Sequence, residues 1–289
     1  MDNQFEQIFE SVLFESTGLE LDILDFALSD AGIVNTCARL TTAQGHFFVK
    51  MNERPESEFF RSEAADLEFL RQHVPVPAVI GYGKTAGWNF LLTEFVEEGD
   101  PTQNTWSDAG RILASLHQQR SDQHGFTHSN FLASLRMDNR PKLDGIDFLI
   151  QNRILPAIGL CLMEEKISID LYRRIESFCA RLGQIIPQEE PSLLHGDLWT
   201  GNLMLGQNGK AIFIDPATYY GYRESELAFT YLFGGFDRRF YESYLEVFPL
   251  EPGFGERVSV YHIHPLLVHV QLFGGGYIAG IEKILKRFA

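Results

Sequence analysis

The chain has 289 residues, 45% of them hydrophobic, and a formal charge of −15 at pH 7. That length suits two lobes around a cleft, and the apolar content excludes a disordered polypeptide. So acidic a surface repels polyanions, which argues against nucleic acid and anionic membrane as partners.

Phe5, Ile8, Phe9, Val12 and Leu13 recur at helical spacing, which predicts an amphipathic helix that Gly18 ends. Strand character follows over 19–28 and 37–42, on either side of a turn at Ser29, Asp30, Ala31 and Gly32. In a third strand, 46–51, Phe47, Val49 and Met51 share one face and Lys50 takes the other. Pro55 and the run Pro75-Val76-Pro77 bound a helix over 57–73, and strands over 78–82 and 88–94 complete this half. Composition changes at Glu97-Glu98-Gly99-Asp100-Pro101, so the lobe boundary is placed just before it, dividing 1–95 from 96–289. Beyond it the apolar spacing is helical over 106–119, 146–162, 169–186, 226–233, 238–247, 257–273 and 278–288, with one short strand pair at 203–205 and 211–214. No apolar run is expected to reach membrane-spanning length, and the acidic start Met1-Asp2-Asn3-Gln4 does not read as a signal peptide. Cys37, Cys161 and Cys179 are too scattered for a disulfide framework or a paired zinc site, so a reducing, cytoplasmic compartment is expected.

The most informative segment is His195-Gly196-Asp197-Leu198-Trp199-Thr200-Gly201-Asn202, an Asp and an Asn five positions apart on a tight loop, with Asp215 arriving after the next strand. Phosphoryl transfer from ATP needs an oriented hydroxyl, neutralised phosphate charge and little covalent help, and this loop supplies the groups. Asp197 is the expected catalytic residue, accepting or orienting the hydroxyl proton, while Asn202 and Asp215 offer the oxygen ligands that Mg2+ prefers. A capped turn followed by a strand-ending Asp-Pro would explain part of this run, but not the second Asp arriving on schedule. Lys50 is expected to pair with the α and β phosphates, held by Glu63 on the helix over 57–73, with Glu58 and Asp66 as the competing acids.

The turn from Asp30 to Asn35 sits where a phosphate-covering loop belongs, making Gly32 and Asn35 candidate nucleotide contacts. Glu94, Phe95 and Val96 form the connection between lobes and offer backbone groups to the adenine edge, so 1–95 reads as the nucleotide-binding lobe and 96–289 as the catalytic and substrate lobe. Cys37 reads as a small apolar strand residue, with redox sensitivity as the alternative. His195 reads as a brace for its loop; His117, His124, His128, His262, His264 and His269 read as packing or surface residues. The short interval from Asp215 to the helix at 226 leaves no room for a long activation segment, which favours a small or protruding acceptor.

The segment 195–202, with Asp215-Pro216-Ala217-Thr218-Tyr219-Tyr220-Gly221-Tyr222-Arg223-Glu224, Leu227-Ala228, Leu232-Phe233-Gly234-Gly235-Phe236 and the tail Leu272-Phe273-Gly274-Gly275-Gly276-Tyr277, resembles the fructosamine kinase (ketosamine-3-kinase) family nearly end to end. Trp199 and the downstream Gly-Gly-Phe separate it from the related aminoglycoside and choline kinases. The resemblance implies an α+β, protein-kinase-like two-lobe fold with an antiparallel-sheet N-lobe and a mainly helical C-lobe. It implies ATP- and Mg2+-dependent phosphorylation of the sugar 3-hydroxyl of fructosamine or ribulosamine adducts, free or protein-linked. Carried over by position, Asp197 is the base, Asn202 and Asp215 the magnesium ligands, and Lys50 with Glu63 the phosphate clamp. Trp199 is a candidate wall of the sugar pocket, or equally a core anchor of its loop. The chain departs from the family pattern at Ala31-Gly32, where two glycines are usual, and at Tyr222, where a histidine is usual, and 128–135 follows it only loosely. The alternatives are a sister kinase acting on an aminoglycoside, choline or a sugar, and a nucleotide-binding pseudokinase, which would lack a catalytic or metal residue.

Overall fold

Alternation along the Lys50 strand sets the frame for the first half of the molecule. The computed structural model describes residues 2–29, 35–54 and 58–288, and the chain divides into two compact units, the first made of 1–105, 130–134 and 202–217. Its sheet comprises β1 (Asp25–Ser29), β2 (Thr36–Thr42), β3 (Gly45–Asn52), β4 (Val79–Thr85) and β5 (Trp88–Glu94). They lie in the order β1-β2-β3-β5-β4, every neighbouring pair antiparallel. Two helices accompany the sheet, α1 (Asp2–Thr17) and α2 (Glu58–Leu70). Ile8, Phe9, Val12 and Leu13 of α1 form one buried cluster with Ala38, Leu40, Val49, Met51, Phe90 and Leu92 of the sheet. Each of these side chains larger than alanine, once buried, contributes about 1.5–3 kcal/mol relative to exposure. Gly81 in β4 permits the helix to sit this close, since a Cβ there would lie 2.6 Å from the Ser16 Cβ. The register sets Cys37 opposite Lys50 and Lys50 opposite Leu91, on the face away from α1. The strand expected over 19–28 starts only at Asp25, because Leu21 and Ile23 are drawn into the α1 cluster as irregular chain.

Two segments distant in sequence complete this unit. The hairpin of Leu203–Leu205 with Ala211–Phe213 is tied in by Phe213 N–H donating to Pro75 O (2.9 Å) and Gly99 N–H donating to Leu205 O (2.8 Å). In the strand Asn130–Leu132, Asn130 Nδ2 donates to Asp66 Oδ2 at 2.8 Å, with both residues buried. The compact unit therefore reaches past residue 95 and is discontinuous along the chain.

The second unit, 106–129, 135–201 and 218–289, is mainly helical. Ile158, Ile175, Leu182, Ala228, Ile263, Leu267, Val270 and Ile281 are fully buried in its core. Contrary to the sequence expectation, Gly145–Met163 is a helix of 19 residues with mean hydropathy 1.4, long and apolar enough by those measures to cross a membrane; Ile154, Ile158 and Cys161 from it lie in the core. Its middle, Leu149–Ile154, is π-helical, and Leu155 N–H reaches back to Ile150 O. Pro156 supplies the physical reason: it has no N–H for Asn152 O, and its ring would crowd that carbonyl in an unwidened turn.

The helix expected over 169–186 breaks into Ile169–Cys179 and Leu182–Ile185, and the one over 257–273 into Phe254–Tyr261 and Ile263–Phe273. Pro265 falls in the first turn of the last of these, where a missing N–H costs nothing. Two three-residue strands that the pattern did not reveal, Ser192–Leu194 and Tyr219–Gly221, pair antiparallel and lead the chain into and out of the motif region.

Candidate active site

Within the first unit, Lys50 on β3 is 9% exposed, and its Nζ donates to Glu63 Oε1 on α2 at 2.6 Å and to Asp215 Oδ1 at 2.5 Å. Burial alone would depress the Lys50 ammonium, but the adjoining Asp215 and Glu63 carboxylates more than offset this and raise its pKa. Burial raises the Glu63 carboxyl, with Lys50 opposing. Of the competing acids, Asp66 is engaged by Asn130. Asp215 follows the strand Ala211–Phe213 with φ +55°, a left-handed conformation that costs a residue with a side chain about 1–3 kcal/mol. Its side chain is 46% exposed. Asn202 is buried and stands beside it through the backbone, its carbonyl accepting from Ile214 N–H at 3.0 Å.

Other expected nucleotide contacts lie in the same unit. Gly32 falls outside the described residues. Asn35 precedes β2 and its Oδ1 accepts from Asn52 Nδ2 at 2.9 Å, while Asn89 donates to Asn52 Oδ1 at 3.3 Å and to Arg54 O at 2.6 Å. Glu94 ends β5, with its N–H bound to Ala78 O at 2.9 Å, and Phe95 and Val96 continue as irregular chain. The Phe95 ring carries the Arg39 guanidinium 5.9 Å from its centroid. Burial pushes the Cys37 thiol up to about 11, so it stays protonated at neutral pH, as befits a small apolar strand residue rather than a thiolate.

Within the second unit, the strand Ser192–Leu194 runs directly into His195, Gly196 and Asp197. Gly196 has φ +89°, which a residue with a side chain adopts only under strain. Asp197 is half-buried, and its N–H donates to His195 Nδ1 at 3.3 Å. The residues the sequence did not mark lie beneath this turn. Glu226 accepts from His195 N–H at 3.0 Å and from Gly196 N–H at 2.6 Å, and His117 Nε2 stands 2.9 Å from Glu226 Oε2. His117 is fully buried in this network, not on the surface. Trp199 is 38% exposed, with its ring 6.3 Å from that of Phe233 and so close over Gly201 that a Cβ there would meet it at 2.4 Å. The indole thus packs on its own loop while part of it meets solvent. Only residues 216–222 separate Asp215 from the helix Arg223–Leu232.

A family model described as fructosamine kinase matches residues 5–289. Among curated relatives, a "Probable ketoamine kinase" of Enterococcus faecium is 34% identical over 89% of this chain and 92% of its own. A chloroplastic protein-ribulosamine 3-kinase of Oryza sativa subsp. indica is also 34% identical, over 89% of this chain and 76% of its own. The solved structure of a "putative fructosamine-3-kinase" from Thermobifida fusca superposes with a TM-score of 0.87 at 31% identity, covering 96% of this chain and 97% of the other. An aminoglycoside phosphotransferase superposes at 0.65 with 12% identity, covering 97% and 99%, a likeness of fold alone. The kinase-like α+β fold implied by the sequence is the fold these neighbours share, and the comparisons do not favour the sister-family alternative.

Proposed function

Because the chain belongs to the fructosamine kinase family, we propose that it transfers the terminal phosphoryl group of ATP to the sugar 3-hydroxyl of a ketosamine, a fructosyl or ribulosyl adduct on a small amine or a protein. The observation that carries this reading is Lys50 held between Glu63 and Asp215, a buried cation fixed by one acid from α2 and one from the motif region. Lys50 serves the α and β phosphates, Gly32 and Asn35 are further nucleotide contacts, and the backbone of Glu94, Phe95 and Val96 receives the adenine edge. Asp197, five residues before Asn202 on the same loop, takes the proton of the attacking hydroxyl. Trp199 offers its exposed indole face to the sugar. The acidic chain suits an acceptor that keeps a basic amine, and the three free cysteines suit a cytoplasmic setting.

Magnesium fits the donor set. Asp215 is held at one carboxylate oxygen by Lys50 and remains 46% exposed, and Asn202 adds an amide oxygen from the adjoining backbone pair. Among the described residues no cluster of three acidic, histidine or cysteine side chains forms a self-sufficient metal cage. One carboxylate and one amide are what Mg2+ takes when phosphates and water complete its shell. Asn202 and Asp215 would hold the ion, which when bound neutralises phosphate charge.

A panel of fructosyl- and ribulosyl-amines with ATP, followed by ADP release and by the position of the new phosphate, tests the proposal. Transfer to a ketosamine 3-hydroxyl is expected. Transfer to choline, an aminoglycoside or a free sugar, with none to any ketosamine, would overturn it.

A further inference from the structure

We infer that Asn52 is a positioning residue for Asn35, turning its carboxamide so that the Nδ2 donors, and not Oδ1, are left for a phosphate oxygen of ATP, and that Asn89 and the Arg54 backbone hold Asn52 in the orientation this requires. The inference rests on the reading of Asn35 as a nucleotide contact. Register places the three asparagines in one row across the sheet. Asn52 at the end of β3 is directly opposite Asn89 in β5, and Asn35 stands one residue before Thr36, whose partner is Met51. Asn52 lies two residues beyond Lys50 on the same strand, and therefore on the same face. Asn52 is 5% exposed and Asn89 2%. Asparagine is depleted in strands, and a buried carboxamide is costly unless it is hydrogen-bonded. Two of them facing each other across interior strands run against both preferences, the kind of conflict expected where function rather than stability dictates the residue.

Backbone groups decide which way each carboxamide is turned. Arg54 N–H can only donate, so the Asn52 atom 3.2 Å from it is Oδ1. Nδ2 of Asn52 therefore occupies the other branch, 2.9 Å from the Asn35 side chain, and because an amide NH2 accepts nothing, Asn35 meets it with Oδ1. At the far end of the row Arg54 O can only accept, so Asn89 turns Nδ2 to it at 2.6 Å. The same Nδ2 stands 3.3 Å from Asn52 Oδ1, a second donor that holds Asn52 against rotation. One residue's backbone thus keys two side chains and, through Asn52, the third. Asn35 is half-buried, and its Nδ2 makes no hydrogen bond among the described residues. An amide N–H donating to a phosphate oxygen forms a charge-assisted bond, whereas the reversed carboxamide would set a carbonyl oxygen against the anion.

A double-mutant cycle in the full chain tests this, pairing Asn52→Asp with Asn35→Ala at about pH 8, well above the ordinary carboxyl range. The Kd of ATP, the KM of ATP and of a fructosyl-amine, kcat and melting temperature are measured for each variant. Asn52→Asp keeps an acceptor for Arg54 N–H and Asn89 but offers Asn35 an oxygen in place of a donor, which reverses the Asn35 carboxamide. Asn35→Ala is expected to weaken ATP binding about tenfold, the worth of one hydrogen bond to a charged group. The loss of ATP affinity on Asn52→Asp is expected to be about tenfold greater in the parent than in Asn35→Ala, where no carboxamide remains to reverse, with kcat at saturating ATP and the KM of the fructosyl-amine within about threefold of the parent. The charge that Asn52→Asp introduces is common to both backgrounds, so the cycle subtracts it. Losses equal within about twofold in the two backgrounds, or ATP affinity unchanged in Asn52→Asp, overturn the inference. If Asn52→Asp does not fold, Asn52→Ala takes its place and frees the Asn35 carboxamide instead of reversing it. A loss of about threefold that disappears in Asn35→Ala then supports the role, and equal losses in both backgrounds refute it. Unchanged ATP affinity in Asn35→Ala would remove the nucleotide contact itself and the inference with it, whereas a weakened Asn35→Ala without coupling to position 52 overturns the positioning role alone.

Discussion

Lys50 is the residue at which charge, burial and register meet. The same alternation that buries Val49 and Met51 against α1 turns Lys50 to the other face, where Glu63 and Asp215 both claim its ammonium. Lys50→Met should therefore weaken ATP binding by about tenfold or more and leave two unpaired acids behind, measured by nucleotide titration; normal affinity and rate would show the clamp misassigned. Asp197→Ala should lower kcat by about 1,000-fold while ATP still binds, because it removes the proposed proton acceptor and none of the proposed phosphate contacts, and an isotherm paired with a turnover assay separates the two. Asp197 and Asn202 stand out in the sequence because they lie five residues apart on one loop, and Asp215 because it follows the next strand. Glu63 could be ranked above Glu58 and Asp66 only by helix position. Nothing local marked Glu226, whose partner His117 lies 109 residues away and reads in sequence as one more histidine on an apolar face.

At the scale of elements, two helices break the rule that charged residues mark the outer face. Arg223, Glu224 and Glu226 are all buried at the start of Arg223–Leu232, and each is paired, Arg223 with Glu189 at 2.5 Å. Periodicity found this helix by its apolar positions but could not see its polar first turn turned inward. The same blindness applies to Gly145–Met163. A single 3.6-residue period predicts it whole, yet the π segment before Pro156 shifts the phase so that Asn152 and Arg153 face the interior. Arg153 donates to Asp138 O at 2.8 Å and Asn139 Oδ1 at 2.6 Å, with its guanidinium 4.7 Å from the Phe148 ring centre and 4.3 Å from that of Tyr219. Arg153→Met keeps the stem and loses those bonds, so it should destabilise the second unit by about 2–4 kcal/mol. A lowered denaturant midpoint with an unchanged slope is the expected observation. Three-residue strands such as Ser192–Leu194 are too short to show any period, and they form through pairing with Tyr219–Gly221, which lies 25 or more residues along the chain.

For the whole molecule, the presence of both a sheet-based and a helical part was readable from the change in apolar spacing along the chain. The capture of 130–134 and 202–217 by the first unit was not, since it depends on bonds such as Phe213 to Pro75 that no local pattern announces. A property of the entire second unit follows from its buried and half-buried histidines. Burial pushes His124 down to about 4 and His264 down to about 3, the latter with help from Arg153, and lowers His262 and His269 as well. His124 is 3% exposed, its ring lies against Phe148 and Tyr222, and its Nδ1 has no hydrogen-bond partner among the described residues, which fits a neutral ring. With folded values below the unfolded value of about 6.5, the unfolded chain binds more protons in between, so this contribution to stability is complete above about pH 6.5 and is lost as pH falls toward 4. For His124 alone the loss by pH 5 is on the order of 1–2 kcal/mol. A second effect runs the other way, because protonating carboxylates relieves the self-repulsion of a chain with a charge of −15. The raw melting curve mixes the two, whereas the difference between the parent and His124→Gln isolates the histidine. That variant cannot take up the proton, so the parent's stability relative to it should decline steadily from pH 7 to pH 5, by up to about 1.4 kcal/mol per pH unit once the unfolded histidine is charged. A difference that stays constant across that range would mean that His124 is not held neutral by its surroundings.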